Sequence, residues 1–416
     1  MTERMGRAMP AERKQSEGGK TAPARTCFSL LDFEGFLRAT GNVPLADLIR
    51  EAFDREEALP EALHGKALGL FREYLLTGGM PGVVDVYGKT RSFEAAEKEK
   101  RRLLDGLLRE LKGLPRSRAD KTSKILREIP AQLAKSEKRF TLSALGKSAR
   151  WRNCAEAFAR LEDFGLLLPS LAAVPEEDRW VVEDSSVRKE YFVDMGLLGT
   201  LAVRTGLVTK AELTRGVLFG KFSFLNGMLV ENAVAQTIAR KGERLLHFSQ
   251  SGKKEGEERI EIDFLLIRPS PEAGGAPRVS PVEVKPSVRF RALSLERFAE
   301  KFGECVGAEY VVYPGPLRRE GRRLLVPFYA AQCLRRFPNG NETVLRTGCL
   351  CEQASLRTVH EAGSFSAGAS GRIFVFGNLK GAGFWPARHP SGENRRGKTH
   401  EGTEKTTAQA QGREAA

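Results

Sequence analysis

The chain has 416 residues, of which 41% are hydrophobic, and its formal net charge is +14 at pH 7. A length of this order predicts about two or three domains. There is no run of about twenty apolar residues, so we expect neither a membrane-spanning helix nor a membrane partner. The charged N-terminal residues also lack the apolar centre of a secretory signal. The positive charge favours contact with nucleic acid or another polyanion, although a solvated surface with basic tails would also explain it.

The cysteines point to a reducing compartment. Six of them are scattered along the chain, and without an export signal this pattern indicates reduced thiols in a cytoplasmic protein. Cys349 and Cys351 lie close together, but no second Cys or His pair follows at the spacing of a zinc site. We therefore expect a cytoplasmic location and no zinc at this pair.

The N-terminal part of the chain divides in two. Residues 1–27 are polar and unpatterned, which predicts a disordered leader. Over residues 28–115, apolar residues recur at intervals of three and four, which predicts helices. The positions that carry this pattern include Leu45, Leu48, Ile49, Leu68, Phe71, Tyr74 and Leu75. The run from Gly78 to Pro81 predicts a helix end followed by a turn, in preference to a phosphate-binding loop.

The middle segment, residues 116–210, is predicted to contain a short helix at Leu142–Leu145 and a longer one that ends at Gly165 in a left-handed cap. The longer helix has one apolar stripe, formed by Trp151, Cys154, Ala157, Phe158, Leu161 and Phe164. Residues 165–168 and 180–182 can then pair as a hairpin. Helix, turn, helix and wing resemble a winged-helix domain.

Two arginines of this segment are candidates for DNA contact. Arg150 and Arg152 lie at the start of the longer helix, where a recognition helix would meet DNA. Winged helices also serve as protein-docking modules, so both roles stay open.

The third segment, residues 211–336, has charged residues on two predicted strands. Asp263 lies within an apolar run, and Glu283 and Lys285 flank Val284 in the next one. Alternate side chains of a strand share a face, so Glu283 and Lys285 point the same way, and Asp263 joins them if the strands are neighbours. Asp263 and Glu283 could then bind Mg²⁺, which usually takes one or two carboxylates plus waters and a substrate phosphate. Lys285 could orient the attacking water or offset charge on the phosphate.

The order of elements around these residues extends the pattern. Glu231 lies on a predicted helix upstream, and a helix at 294–298 and a strand at 310–313 follow the lysine. Helix, strand, strand, helix and strand resemble the core of the PD-(D/E)XK nuclease superfamily, the restriction-endonuclease-like fold. The resemblance implies that Asp263 and Glu283 are the acid pair, Lys285 the catalytic lysine and Glu231 a supporting acid. Acid-x-Lys on a strand is also common on a solvated face.

Basic residues follow the lysine closely. Arg289 and Arg291 come directly after it, and a nuclease needs cations beside its carboxylates to hold phosphate. A second basic group crowds one later turn, at Arg318, Arg319, Arg322 and Arg323. We therefore name Arg289 and Arg291 as candidate nucleic-acid-binding residues, with a merely solvated loop as the alternative. Residues 337–416 are rich in Gly, Ser, Arg and Thr and are predicted to be a disordered basic tail.

The resemblance extends beyond the third segment. Five sequence blocks recur in the same order in the AAA+-type ATPases of bacteria and archaea that end in a nuclease-like domain of unknown function. They lie within Leu30–Leu37, Glu73–Pro81, Ile129–Ala134, Tyr191–Leu198 and Leu229–Asn232. The match covers roughly residues 28–333, and it implies that residues 28–115 are a helical remnant of the AAA+ domain.

Members of that family begin with a P-loop, and this chain departs from them there. A P-loop needs a buried strand, a Gly-rich turn and a Lys-Ser/Thr pair that opens a helix. The nearest candidate is the run from Gly18 to Thr21, where Lys14 stands in place of the first glycine and Pro23 follows. We therefore expect no ATP site in this chain, through truncation, a misassigned start or decay.

The sequence thus predicts an α+β or α/β multidomain protein: a helical AAA+ remnant, a winged-helix-like middle domain and a restriction-endonuclease-like C-terminal domain. Two functions are carried forward. The first is a Mg²⁺-dependent DNA phosphodiesterase that uses Asp263, Glu283, Lys285 and Glu231. The alternative is a non-catalytic module that binds DNA or a protein partner and has lost its ATPase motor.

Overall fold

A computed structural model of the chain describes residues 30–334, apart from residues 114–115, 177–178, 221–222, 253–257 and 269–277. The predicted leader, the P-loop-like run from Gly18 to Thr21, the Cys349 and Cys351 pair and the predicted tail lie outside the described residues. All the described residues belong to the first of the two units into which the chain divides. No helix in this part of the chain is long and apolar enough to cross a membrane.

Eleven α-helices occur in the described part of the chain. They are Phe33–Ala39 (α1), Val43–Asp54 (α2), Glu61–Thr77 (α3), Pro81–Thr90 (α4), Phe93–Lys112 (α5), Arg116–Leu133 (α6), Trp151–Asp163 (α7), Met195–Arg204 (α8), Lys210–Phe219 (α9), Ser223–Arg240 (α10) and Leu293–Phe302 (α11). Short 3-10 helices span Leu142–Leu145, Gly303–Cys305 and Phe328–Cys333. Side-chain caps begin several α-helices. Asp32, for example, accepts a hydrogen bond from the Gly35 N–H at 2.8 Å and so satisfies a free donor of α1.

Nine strands form two mixed sheets within the same residues. The strands are Leu167–Glu176 (β1), Arg179–Phe192 (β2), Leu245–Gln250 (β3), Ile260–Ile262 (β4), Phe264–Arg268 (β5), Arg278–Val284 (β6), Glu309–Tyr313 (β7), Arg318–Glu320 (β8) and Arg323–Pro327 (β9). One sheet has the order β2-β1-β3-β4 and the other has the order β5-β6-β7-β9-β8. Helices combined with two mixed sheets confirm the coarse prediction of an α+β protein.

The predicted helix end at Gly78 is confirmed. α3 stops at Thr77, and Gly78 has a φ of 85°, which favours glycine. The buried Asp194 carboxylate accepts hydrogen bonds from the Gly79 N–H at 2.6 Å and from the Leu197 N–H at 2.8 Å. It therefore caps α8 and ties that helix to the turn after α3. Burial raises the pKa of Asp194, and its backbone hydrogen bonds act in the opposite direction.

The middle segment differs from its prediction in the hairpin. α7 forms as predicted, and Gly165 has a φ of 67°. The shorter predicted helix at Leu142–Leu145 is a 3-10 turn. The predicted pairing of 165–168 with 180–182 is wrong. The strands are longer, so Leu168 pairs with Tyr191 and Trp180 pairs with Pro175.

The reason for this difference lies in tertiary pairing. β1 pairs in parallel with β3, with Ser170 opposite Leu245, and its register with β2 shifts between Leu171 and Ala172. Through β3 the hairpin joins a sheet that extends past the predicted boundary between residues 210 and 211. The hairpin is therefore a structural part of the region that follows it.

The predicted order in the third segment is present, with two additions. α10 is followed by strands, α11 and β7, as the pattern indicated. The single strand predicted over residues 260–267 is wrong, because the chain is divided at Asp263 into β4 and β5, which belong to different sheets. β3 lies between α10 and β4, and the basic turn belongs to a β8–β9 hairpin with Gly321 at its tip. β6 pairs with β5 on one side and with β7 on the other, so the Glu283 side chain emerges from an interior strand of the sheet.

Candidate active site

Asp263 lies where the chain passes from one sheet to the other. β4 ends at Ile262 and pairs with β3, whereas β5 begins at Phe264 and pairs with β6. The Oδ2 atom of Asp263 accepts a hydrogen bond from the Val284 N–H at 2.9 Å. The sheet crossover therefore holds the Asp263 carboxylate against β6, between the positions of Glu283 and Lys285.

Glu283 is a buried carboxylate next to that aspartate. Glu283 is 7% exposed, and its Oε1 atom forms an ion pair with the Lys285 ammonium group. The Oε2 atom is buried and has no hydrogen-bond partner among the described residues. Burial raises the pKa of Glu283 to about 7. Asp263 acts in the same direction, while Lys285 and Arg323 lower it.

Glu231 reaches the same cluster from α10. It is 3% exposed. Its Oε1 accepts a hydrogen bond from the Tyr191 hydroxyl at 2.6 Å, and its Oε2 lies 2.7 Å from the Lys138 ammonium nitrogen. Burial raises the pKa of Glu231, as does the nearby Asp263 charge, and Lys138 counteracts both. Both oxygens of Glu231 therefore have a partner in the protein.

Sequence reasoning missed two lysines of this cluster, Lys138 and Lys189. Lys138 follows α6, and although burial disfavours its charge, Glu231 and Asp263 raise its pKa. Lys189 lies on β2 with its Nζ atom 3.5 Å from Asp263 Oδ1. Lys189 and Tyr191 alternate along β2 and so share a face, one directed to Asp263 and the other to Glu231. The two-residue spacing of Lys189 and Tyr191 is visible in the sequence. The predicted strand covered only residues 180–182, however, and the structure shows that β2 extends to Phe192 and includes both residues.

The carboxylates of the site fit a magnesium ion with a small set of protein ligands. Within the described ranges, no group of three or more His, Cys, Asp or Glu side chains could hold a metal ion by itself. Mg²⁺ commonly uses one or two carboxylates and keeps several waters. Asp263 and Glu283 meet that requirement, and the unpartnered Oε2 of Glu283 is a free hard-oxygen ligand.

An open groove is lined by residues of the segment after β6, of α11 and of the β8–β9 hairpin. Arg289 and Arg291 line it together with Arg318 and Arg323. Arg318 pairs with Glu320 at 2.9 Å, and Arg323 pairs with Glu309 at 3.2 Å. The guanidinium groups of Arg289 and Arg291 are exposed and have no ion-pair partner among the described residues. Glu296 and Glu320 also line the groove, so it presents Arg289 and Arg291 together with two acids.

The groove is electrostatically connected to the acid cluster. Arg323 lines the groove and also lowers the pKa of Glu283. β6 ends at Val284, and the segment that carries Arg289 and Arg291 begins directly afterwards with Lys285.

Arg150 and Arg152 stand on a different element. Arg150 precedes α7 and Arg152 lies in its first turn, and both side chains are exposed. The apolar face of α7 is buried in the core through Cys154, Ala157, Phe158 and Leu161. These two arginines face solvent from the N-terminal end of α7, and their contact with DNA stays a prediction.

The comparisons identify one family. A family described as "Domain of unknown function (DUF8612)" matches residues 68–208, which is less than half of the 416-residue chain. No curated protein and no solved structure matches the chain. The matched residues include Lys138, Lys189 and Tyr191, whereas Glu231, Asp263, Glu283 and Lys285 lie beyond them. The candidate site is thus built from residues within and outside the matched region.

Proposed function

We propose that the protein is a divalent-cation-dependent phosphodiesterase acting on DNA, with Asp263, Glu283 and Lys285 as its catalytic residues. One observation carries the proposal. The hydrogen bond from Val284 holds Asp263 beside a buried Glu283 whose Oε2 has no partner among the described residues. Leaving a buried carboxylate oxygen unpaired is costly, and a cation ligand would offset that cost.

The five sequence blocks support the wider family proposal. They resemble an AAA+-type ATPase family that ends in a PD-(D/E)XK domain. The order of α10, the strands β3 to β6, α11 and β7 supports a restriction-endonuclease-like core, with β3 as an addition to the pattern and with β4 and β5 in place of one strand. In this proposal α7 and the β1–β2 hairpin form the winged-helix-like module, and ATP hydrolysis is not an activity of this chain.

The chain's own residues supply most of the proposed chemistry. Mg²⁺, when bound by Asp263 and Glu283, would polarise the phosphate and lower the pKa of a coordinated water. Lys285 shares a strand face with Glu283 and its side chain is 22% exposed, so its ammonium group can reach solvent and a phosphate oxygen. It would orient the attacking water or offset the charge that develops on the phosphate.

The remaining groups orient the reactants. Glu231 positions the cluster through Tyr191 and Lys138, since both of its oxygens are occupied. Arg289 and Arg291 would hold phosphates next to the scissile one, because their guanidinium groups are exposed and lack acidic partners among the described residues. DNA would therefore lie in the groove after β6.

A second candidate function is a non-catalytic module that binds DNA or a protein. Lys138 and Lys189 favour it, because they balance Glu231 and Asp263 from neighbouring elements, as structural ion pairs would. In this alternative, Arg150 and Arg152 are the first residues to test for DNA contact.

A cleavage assay separates the two functions. Labelled single- and double-stranded DNA is incubated with the purified protein in Mg²⁺, Mn²⁺ or EDTA. Asp263→Asn and Lys285→Ala serve as the test variants, and Asp85→Asn, at an exposed carboxylate of α4, is the matched control. We expect metal-dependent cleavage by the wild type and the control only. Cleavage by Asp263→Asn at the wild-type rate would place the activity elsewhere.

A further inference from the structure

Lys189 has an unusual environment for a lysine. The residue is 2% exposed, and its ammonium nitrogen has no hydrogen-bond partner among the described residues. The nearest opposite charges are Asp263 Oδ1 at 3.5 Å and Glu261 Oε1 at 3.7 Å. Burying a charge is unfavourable unless a partner balances it. Lys189 is therefore held in this position by these two carboxylates.

The two oxygens of Asp263 have different partners. Oδ2 accepts the hydrogen bond from Val284 N–H at 2.9 Å, and Oδ1 faces Lys189. Oδ1 is accordingly the oxygen that remains to bind a cation. The positively charged ammonium group of Lys189 already lies next to this oxygen.

We propose that Lys189 is a tethered counter-ion of Asp263, which competes with the divalent cation and thereby sets the metal affinity of the site. This inference rests on the proposed function, because it concerns the same carboxylates. The region matched by the family of unknown function contains Lys189, and the acids lie beyond it.

Lys138 offers a built-in comparison. It is also a largely buried lysine of the cluster, but its Nζ atom lies 2.7 Å from Glu231 Oε2, a carboxylate that we do not assign as a metal ligand. Removing either lysine changes the cluster's charge by the same amount. If Lys189 competes with the cation for Asp263 Oδ1, removing Lys189 should change cation affinity more than removing Lys138 does. If only the total charge of the cluster matters, the two removals should change cation affinity by similar amounts.

The test is calorimetric titration of Mg²⁺ and Mn²⁺ into the wild type, Lys189→Met, Lys138→Met and Asp263→Asn. We expect Lys189→Met to tighten cation binding at least about tenfold, because a like charge beside the ion is removed. Lys138→Met should change it less than about threefold, and Asp263→Asn should abolish it. Equal or weaker binding by Lys189→Met, with binding by the wild type intact, overturns the counter-ion role and leaves the metal site standing. If no form of the protein binds either cation, the proposed function itself fails and the inference fails with it.

A second variant covers the case in which Lys189→Met does not fold. Lys189→Arg keeps the charge, and thermal melting with and without EDTA reports on its fold. We expect cation affinity equal to or below that of the wild type, because the guanidinium group can contact both carboxylate oxygens. Tighter binding by Lys189→Arg contradicts the counter-ion role.

Discussion

The Val284 N–H donates a hydrogen bond to the Oδ2 atom of Asp263 at 2.9 Å. This bond joins the end of β6 to the point where the chain leaves one sheet for the other. It fixes one carboxylate oxygen and leaves the other beside Lys189.

The first prediction concerns pH. Burial raises the pKa of Glu283 from 4.5 to about 7. Its proton is held more tightly in the folded state, so this group's contribution to stability is fully present below pH 4.5 and is lost as the pH rises through 7. The loss is at most about 3 kcal/mol for the metal-free protein. Urea denaturation in EDTA across this pH range should show that Glu283→Gln flattens the profile.

Glu300→Gln, at an exposed position of α11, is the control for this measurement. It should follow the wild-type profile. Glu190 also has a pKa raised by burial, to about 8, so the difference between the Glu283→Gln and wild-type curves is the informative quantity. Parallel curves would mean that the pKa of Glu283 is the same in the folded and unfolded states.

The second prediction concerns the pair of Asp263 and Lys189. In Asp263→Asn the buried ammonium group keeps Glu261, at 3.7 Å, as its nearest acidic neighbour among the described residues. Breaking a buried ion pair by removing one partner costs about 3–5 kcal/mol. Because Glu261 still balances part of the Lys189 charge, we expect the free energy of unfolding in EDTA to fall by about 1–3 kcal/mol. Adding Lys189→Met should restore part of the loss. A double-mutant cycle of unfolding free energies measures the coupling, and additive effects would contradict it.

The third prediction concerns the turn after α3. A Cβ atom on Gly196 would lie 2.5 Å from the Thr77 carbonyl oxygen and 2.6 Å from the Gly78 nitrogen. These are backbone atoms, so Gly196→Ala should destabilise the protein by at least about 2 kcal/mol. Gly69→Ala is the control, because a Cβ atom there meets nothing within 4 Å in the middle of α3. It should stabilise the helix by about 0.5–1 kcal/mol, and a thermal melt in which both variants behave alike would contradict the proposed crowding.

The fourth prediction concerns the groove. If Arg289 and Arg291 each neutralise one phosphate of duplex DNA, the double substitution to Ala should reduce the log–log salt slope of binding by about 2. The double substitution of Arg150 and Arg152 to Ala tests the alternative surface on α7. Fluorescence anisotropy over a range of salt concentrations gives both slopes. An unchanged slope for Arg289→Ala/Arg291→Ala would remove the groove from the DNA-binding surface.

Several features could be predicted from the sequence because they depend on nearby residues. The helix end at Gly78 follows from a backbone angle that glycine favours. The common face of Glu283 and Lys285 follows from the two-residue period of a strand. The apolar stripe of α7 likewise predicted the helix.

The sequence by itself therefore determined the class of fold, the main helices and the acid and lysine residues that lie close together on their own strands. Only the tertiary structure decided the register of the β1–β2 hairpin, because β1 also pairs with β3. It also decided that Lys138 and Lys189 balance Glu231 and Asp263. A charge on a strand has no partner until a distant segment is packed against it, and whether an acid binds a lysine or a metal depends on that packing.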